Sequence, residues 1–221
     1  CVERSELEKI KKYYEVNSAN APLLMCGFNR RFSPYINKIK SAIEKRVGPM
    51  IINYRVNAGY IPLDHWVHGN EGGGRNIGEA CHFYDLFTYL TNSKVDKLTA
   101  LSIKTPTKFY SNTDNFTANI SFKEGSIASL TYTALGSQEQ MKECMDIYVD
   151  GKIFSINDYL SLSIFGSNVK PFSTRKMEKG HREELIAFSQ ALKSGGEWPI
   201  PLWQLIQATE ISFDIQEQIN S

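Results

Sequence analysis

Apolar positions along the chain recur with two different periods, and the switches between them mark out its elements. Residues 4–17 read as an amphipathic helix, because Leu7, Ile10 and Tyr14 fall at three- and four-residue spacing with charges between. Ser5, with Glu8 three residues on, forms a weak capping box at its start. Leu23 to Phe28 is short and continuously apolar, as in a strand buried on both faces of a parallel sheet. Ser33-Pro34 joins a capping hydroxyl to a proline suited to a first helical turn, and Gly48-Pro49 ends that helix near Val47. Strands are expected at 50–57, 95–104, 115–122, 126–134, 143–149 and 152–156, with 160–165 a further candidate. Phe116, Ala118, Ile120 and Phe122 alternate with Thr117, Asn119 and Ser121, which marks a sheet with one wet face. Lys123-Glu124-Gly125 and Asp150-Gly151 read as hairpin turns. Two helices close the pattern, 181–193 before Gly195-Gly196 and roughly 202–219 after Pro199 and Pro201.

This order predicts an α+β domain, an open and mostly antiparallel sheet of about six strands with helices flanking one face. Residues 1–28 stand apart as a helix and a buried strand without partners, the expected remnant of a preceding α/β domain. The predicted boundary therefore separates 1–28 from 29–221.

With 221 residues, the chain can bury a core that needs no disulfide or metal staples. A net charge of +1 gives no electrostatic ground for nucleic-acid binding. No apolar stretch approaches the ~20 residues of a membrane span. Cys1, Cys26, Cys81 and Cys144 lie apart, with no Cys-x-x-Cys pair and no histidine at metal-ligand spacing. They read as reduced thiols in a cytoplasmic protein without a metal site.

The candidate chemistry sits in Gly73-Gly74-Arg75-Asn76-Ile77-Gly78-Glu79-Ala80-Cys81-His82-Phe83-Tyr84-Asp85. Three-residue spacing puts Glu79, His82 and Asp85 along one side of a helix. A histidine between two carboxylates has a tunable pKa and a fixed tautomer, which suits acid/base work near neutrality. The glycines let backbone approach a ligand closely. The same pattern also describes a surface helix with mixed polar residues. No Gly-Lys-Ser/Thr follows, so the glycines are not a P-loop, and a Ser nucleophile elbow and HExxH are absent.

Two further segments keep company with this one: Gly27-Phe28-Asn29-Arg30-Arg31-Phe32-Ser33-Pro34, and Lys179-Gly180-His181-Arg182-Glu183-Glu184-Leu185-Ile186-Ala187-Phe188. In this order and spacing the three resemble the C-terminal domain of the Gfo/Idh/MocA oxidoreductases, the glucose–fructose oxidoreductase and inositol dehydrogenase group. The resemblance covers nearly the whole chain. It implies a preceding dinucleotide-binding (Rossmann) domain, whose last helix and strand would be residues 1–28 and which would hold most of an NAD or NADP cofactor. Neither the family's G-x-G-x-x-G fingerprint nor its Glu-Lys-Pro segment occurs within the 221 residues. It further implies a homo-oligomer paired through the outer face of the sheet.

By the same resemblance, His82 occupies the catalytic histidine position, exchanging a proton with the substrate hydroxyl while hydride passes to the nicotinamide. Four positions earlier the family often has an aspartate, where this chain has Gly78. Glu79 is adjacent but points about 100° around a helix, and a related branch shares the Gly-Glu-x-Cys-His form. Asp85 matches the trailing aspartate and is expected to orient His82 or to hold the helix in place. Asn29 and Arg30 match the segment near the nicotinamide, and Arg30 and Arg31 the substrate side; a guanidinium there clamps a polar ligand or pairs with a domain carboxylate. Asp64, His65 and Trp66, with Arg75 and Asn76, fall where relatives contact substrate. His181 is expected to cap or pack its helix. The resulting reading is an oxidoreductase of a sugar, nucleotide sugar or polyol. Its alternative is a non-catalytic dimerisation or ligand-binding module of the same fold.

Overall fold

The computed structural model describes residues 1–17, 20–104, 109–194 and 198–220. Among these, strands β1 (Ile51–Asn57), β2 (Val95–Ser102), β3 (Phe116–Phe122), β4 (Ile127–Thr133), β5 (Glu143–Val149), β6 (Lys152–Asn157), β7 (Ser161–Phe165) and β8 (Phe172–Ser173) form one sheet. Their order is β2-β3-β4-β1-β5-β6-β7-β8. β1 is inserted between β4 and β5, parallel to the first and antiparallel to the second. The sheet is thus antiparallel but for that one pairing, and it is wider than the six strands expected. The candidate at 160–165 is realised as β7, and β8 adds a short edge of two residues.

The helices are α1 (Arg4–Val16), α2 (Pro34–Ile43), α3 (Cys81–Thr91), α4 (His181–Ser194) and α5 (Leu202–Asn220). Along β3 burial alternates, with Phe116, Ala118, Ile120 and Phe122 in the core and Thr117 and Asn119 exposed. α3 and α5 pack together, and α5 also lies along β2. There Gln218 Oε1 accepts from the Ala100 amide at 2.7 Å and Gln207 Oε1 from the Val95 amide at 3.3 Å. Side chains thus occupy donors that an edge strand would otherwise present to another sheet.

Three local expectations are corrected. Leu23 to Phe28 is half-buried coil rather than a strand, since no strand among the described residues lies alongside to take its backbone bonds. α1 is capped by Glu3, with Glu6 Oε2 reaching back to the Val2 and Glu3 amides, rather than by Ser5 and Glu8. α2 ends at Ile43, four residues before Val47, although Ser33 caps it as expected by accepting from the Tyr35 amide. Gly195-Gly196, the expected stop after α4, lies outside the described residues.

The core between sheet and helices is aromatic, with Tyr54, Phe83, Phe87, Tyr132 and Phe154 buried. Two ion pairs cross it. A single 3-10 turn, Asn29–Phe32, carries both arginines. Arg31 Nε and Nη2 donate to the two Asp85 oxygens at 2.9 and 2.5 Å, and Nη1 donates to Gln204 Oε1 at 2.6 Å. Arg30 Nε and Nη2 donate to Glu143 at 2.8 and 2.9 Å, and Tyr54 and Lys179 donate to the same carboxylate. Truncating one partner of such a pair strands a charge in the core, at a cost of roughly 3–5 kcal/mol. Asp85→Ala is therefore expected to lose about that much in urea unfolding. Arg31→Met combined with Asp85→Leu should recover most of the loss, whereas an additive double variant would show that the pair is not the unit of stability.

Candidate functional site

The glycine segment builds a tight platform in front of α3. Gly74 takes φ +79°, a left-handed conformation that favours glycine. Residues Asn76–Ala80 form one π-helical turn before α3 begins at Cys81; such wide turns are common at functional sites. A Cβ at Gly78 would lie 2.9 Å from the Gly72 carbonyl oxygen, so the loop as folded leaves no room for an aspartate at this position. Asn76 locks the turn from beneath, donating to the Ser212 carbonyl at 2.8 Å and accepting from the Tyr84 hydroxyl at 2.7 Å. It is fully buried.

His82 follows in the first turn of α3, its ring edge-on to Phe28 at 5.6 Å between centroids. Its Nδ1 is buried without a hydrogen-bond partner among the described residues. Burial, reinforced by the nearby Arg30 guanidinium, pushes its pKa from 6.5 down to about 4. Of the two flanking carboxylates expected to tune His82, only Glu79 acts to raise its pKa, and burial and Arg30 outweigh it. Asp85 turns both oxygens to Arg31, and burial lifts its pKa to about 6 against the pull of that arginine. Of the two roles expected for Asp85, holding the helix is the one its contacts match. Glu79 also faces away, towards Tyr132, Lys142 at 2.7 Å and Arg75 at 3.2 Å. Although burial opposes ionisation, Lys142, Tyr132 and Arg75 hold the Glu79 carboxyl down at about 2.

The arginine expectations change in the same way. Arg30 and Arg31 both close on domain carboxylates, and Asn29 Nδ2 donates to the Lys179 carbonyl at 2.8 Å. Arg75 donates to the carbonyls of Gly59 and Ala58 as well as to Glu79. A clamp on substrate or cofactor would require these bonds to be exchanged.

Two cavities adjoin the platform, on either side of Val2, Gly74 and Ile77. One of about 470 Å³ is lined by Trp66, Glu71, Arg75 and Glu79 among others, and Trp66 stands 64% exposed at its rim. The other, of about 500 Å³, includes His68, Asn70, Ser111, Thr113 and Gln216. Both exceed the lower bound of a few hundred Å³ for small-molecule pockets. His82 lines neither; Glu79, three residues before it, is the nearest link. Asp64 and His65 are exposed, and His65 Nδ1 accepts from the Val67 amide to cap the short turn Trp66–His68.

His68 was not foreseen. It lies 3.6 Å from Asp114, and its Nε2 is buried without a hydrogen-bond partner among the described residues. Only its place in the His65–Trp66 loop could have drawn attention to it. Lys142, sixty-three residues from Glu79 in sequence, had no such signal.

No protein-family model matches the chain, and no curated protein matches it in sequence. Solved structures do. A putative oxidoreductase from Thermotoga maritima superposes with a TM-score of 0.76 at 16% identity, covering 100% of this chain and 68% of that one. The UDP-N-acetylglucosamine 3-dehydrogenase GnnA from Acidithiobacillus ferrooxidans gives 0.76 at 15% identity over 98% of this chain and 67% of its own. The WlbA dehydrogenase from Bordetella pertussis, solved with NADH and UDP-GlcNAcA, gives 0.75 at 14% identity over 100% and 67%. The fold is that of the Gfo/Idh/MocA-type dehydrogenases. The resemblance first drawn from three short motifs holds for the fold along the whole chain. Within this dehydrogenase fold, His82 opens α3 and the glycine platform precedes it.

The environment of His82 makes a direct prediction. In an NMR titration its ring should stay neutral from pH 8 to 5 and take up its proton near about 4. The unfolded chain binds that proton near 6.5, so stability from neutral His82 is complete above 6.5 and lost as pH falls towards 4. A midpoint at or above 6.5 would contradict the buried geometry.

Proposed function

We propose that residues 1–221 form the substrate-binding and subunit-pairing part of an NAD- or NADP-dependent oxidoreductase. Its substrate is a sugar, nucleotide sugar or polyol, and a separate dinucleotide-binding domain holds most of the cofactor. The observation that carries the reading is the place of His82 at the head of α3 in a dehydrogenase fold, its Nδ1 buried and without a partner among the described residues. A nicotinamide held by that separate domain would supply the hydride acceptor for the carbinol carbon. His82 takes the hydroxyl proton, a task that requires the uncharged imidazole present at neutral pH. Asn29 and Arg30 are committed internally, so no cofactor contact is assigned to them.

In the protein joined to its cofactor domain, His82→Asn is expected to lower kcat by roughly two to four orders of magnitude, with the melting temperature retained. Normal turnover in that variant would make His82 a structural residue, whereas no turnover in the joined wild-type protein would favour the non-catalytic module. The closure of Arg30, Arg31, Glu79 and Asp85 on internal partners, and the place of His82 outside both cavities, stand on the module's side.

Subunit pairing draws on the outer face of the sheet. Register aligns Ile127, Ile51, Tyr148, Ile153 and Phe165 across five adjacent strands, and four of them are at least 41% exposed. A row of this kind suits a self-complementary contact. Sedimentation should show a concentration-dependent oligomer that Ile51→Asp with Tyr148→Asp converts to monomer. A wild-type monomer at high concentration would remove this part of the reading.

A further inference from the structure

A pocket of about 310 Å³ opens where β1 ends and β5 begins, lined in part by Asn57, Gly59, Glu139, Gln140, Lys142 and Asp158. Two of its residues flank the start of β5. The Asn57 amide donates to the Lys142 carbonyl and the Asp158 amide to the Glu143 carbonyl, each at 2.7 Å. Asn57 is 7% exposed and Asp158 9%. Asn57 Nδ2 donates to the carbonyls of Ser137 at 2.6 Å and Gln140 at 3.4 Å, which fixes the amide and leaves Oδ1 as an acceptor. That oxygen and Asp158 Oδ1 are both buried with no hydrogen-bond partner among the described residues. A Cβ at Gly136 would fall 2.2 Å from Asn57 Oδ1, so the chain packs against this side chain at a position that admits only glycine.

A buried carboxylate oxygen and a buried amide oxygen without donors are unfavourable unless something supplies positive charge or hydrogen-bond donors. Lys142 lines the same pocket but directs its ammonium to Glu79 at 2.7 Å. The unsatisfied atoms are oxygens, which suits a hard cation rather than a thiolate- or imidazole-seeking metal. The pocket is far larger than a bare ion and has room for an ion that keeps part of its water shell. Such waters are donors, and can serve an acceptor that the ion itself does not touch.

We propose that this pocket binds a partly hydrated divalent cation, with the Asp158 carboxylate as the charged ligand and Asn57 Oδ1 accepting from the ion's water. Glu139 and Asp158 are the acidic residues lining it, and with so few carboxylates the affinity falls on the order of millimolar. The site adjoins the platform through Lys142 and the Gly59 carbonyl, but it does not rest on the oxidoreductase reading.

The test is an NMR titration of the 221-residue chain with magnesium chloride and with calcium chloride, against sodium chloride of equal ionic strength. Saturable amide shifts are expected at residues 57–59, 138–142 and 158. Asp158→Asn removes the charge but suits the backbone, because Asp158 has φ 49° and asparagine tolerates the left-handed region. That variant should keep the remaining spectrum and bind either ion at least tenfold more weakly. No saturable shift with either ion, shifts centred elsewhere, or equal binding by the Asp158→Asn variant would each overturn the proposal.

Discussion

Four residues between the first segment and α2 hold the domain together. The turn Asn29–Phe32 sends Arg31 to Asp85 on α3 and Arg30 to Glu143 at the start of β5, so one short piece of backbone ties a helix to the middle of the sheet. Both carboxylates are almost wholly enclosed, at 0% and 1% side-chain exposure. Enclosed charges tolerate little geometric freedom, because any displacement leaves one of them unsolvated and unpaired. The first turn of α3, and His82 with it, is thereby fixed relative to Phe28 and Arg30. The histidine inherits its character from this arrangement: the same guanidinium that anchors the turn helps to keep the imidazole uncharged.

Periodicity made most of the architecture legible. Strands with one wet face announce themselves through alternation, as Phe116 to Phe122 does, and capped helices through residues such as Ser33 and Pro34. Leu23 to Phe28 misled because a continuous apolar run reports burial, not the presence of a neighbouring strand. The insertion of β1 between β4 and β5 was invisible, since pairing partners across seventy residues leave no local trace.

At the site, sequence located the platform and His82 but not the partners of the charges. Glu79, His82 and Asp85 do share a spacing, yet each carboxylate answers to a cation elsewhere: Lys142 and Arg75 for the one, Arg31 for the other. Which cation reaches which carboxylate is decided by tertiary packing. Gly78 is the instructive residue. Read in sequence it is the loss of an acidic group; in space it is the only residue type that fits beneath the Gly72 carbonyl.

The central position of β1 also bears on how the chain assembles. Ile51 pairs with Ile127 on one side and Tyr148 on the other, so the strand formed earliest in the sequence waits for residues almost a hundred positions later. Long-range pairings of this kind pay loop-closure entropy before any contact rewards it, which slows folding. On a ribosome, β1 emerges with both edges open and stays so until β4 and β5 follow. Its apolar side, Ile52, Tyr54 and Val56, is unshielded during that interval. A strand paired along both edges in the native sheet is therefore open along both until the last of its partners is made.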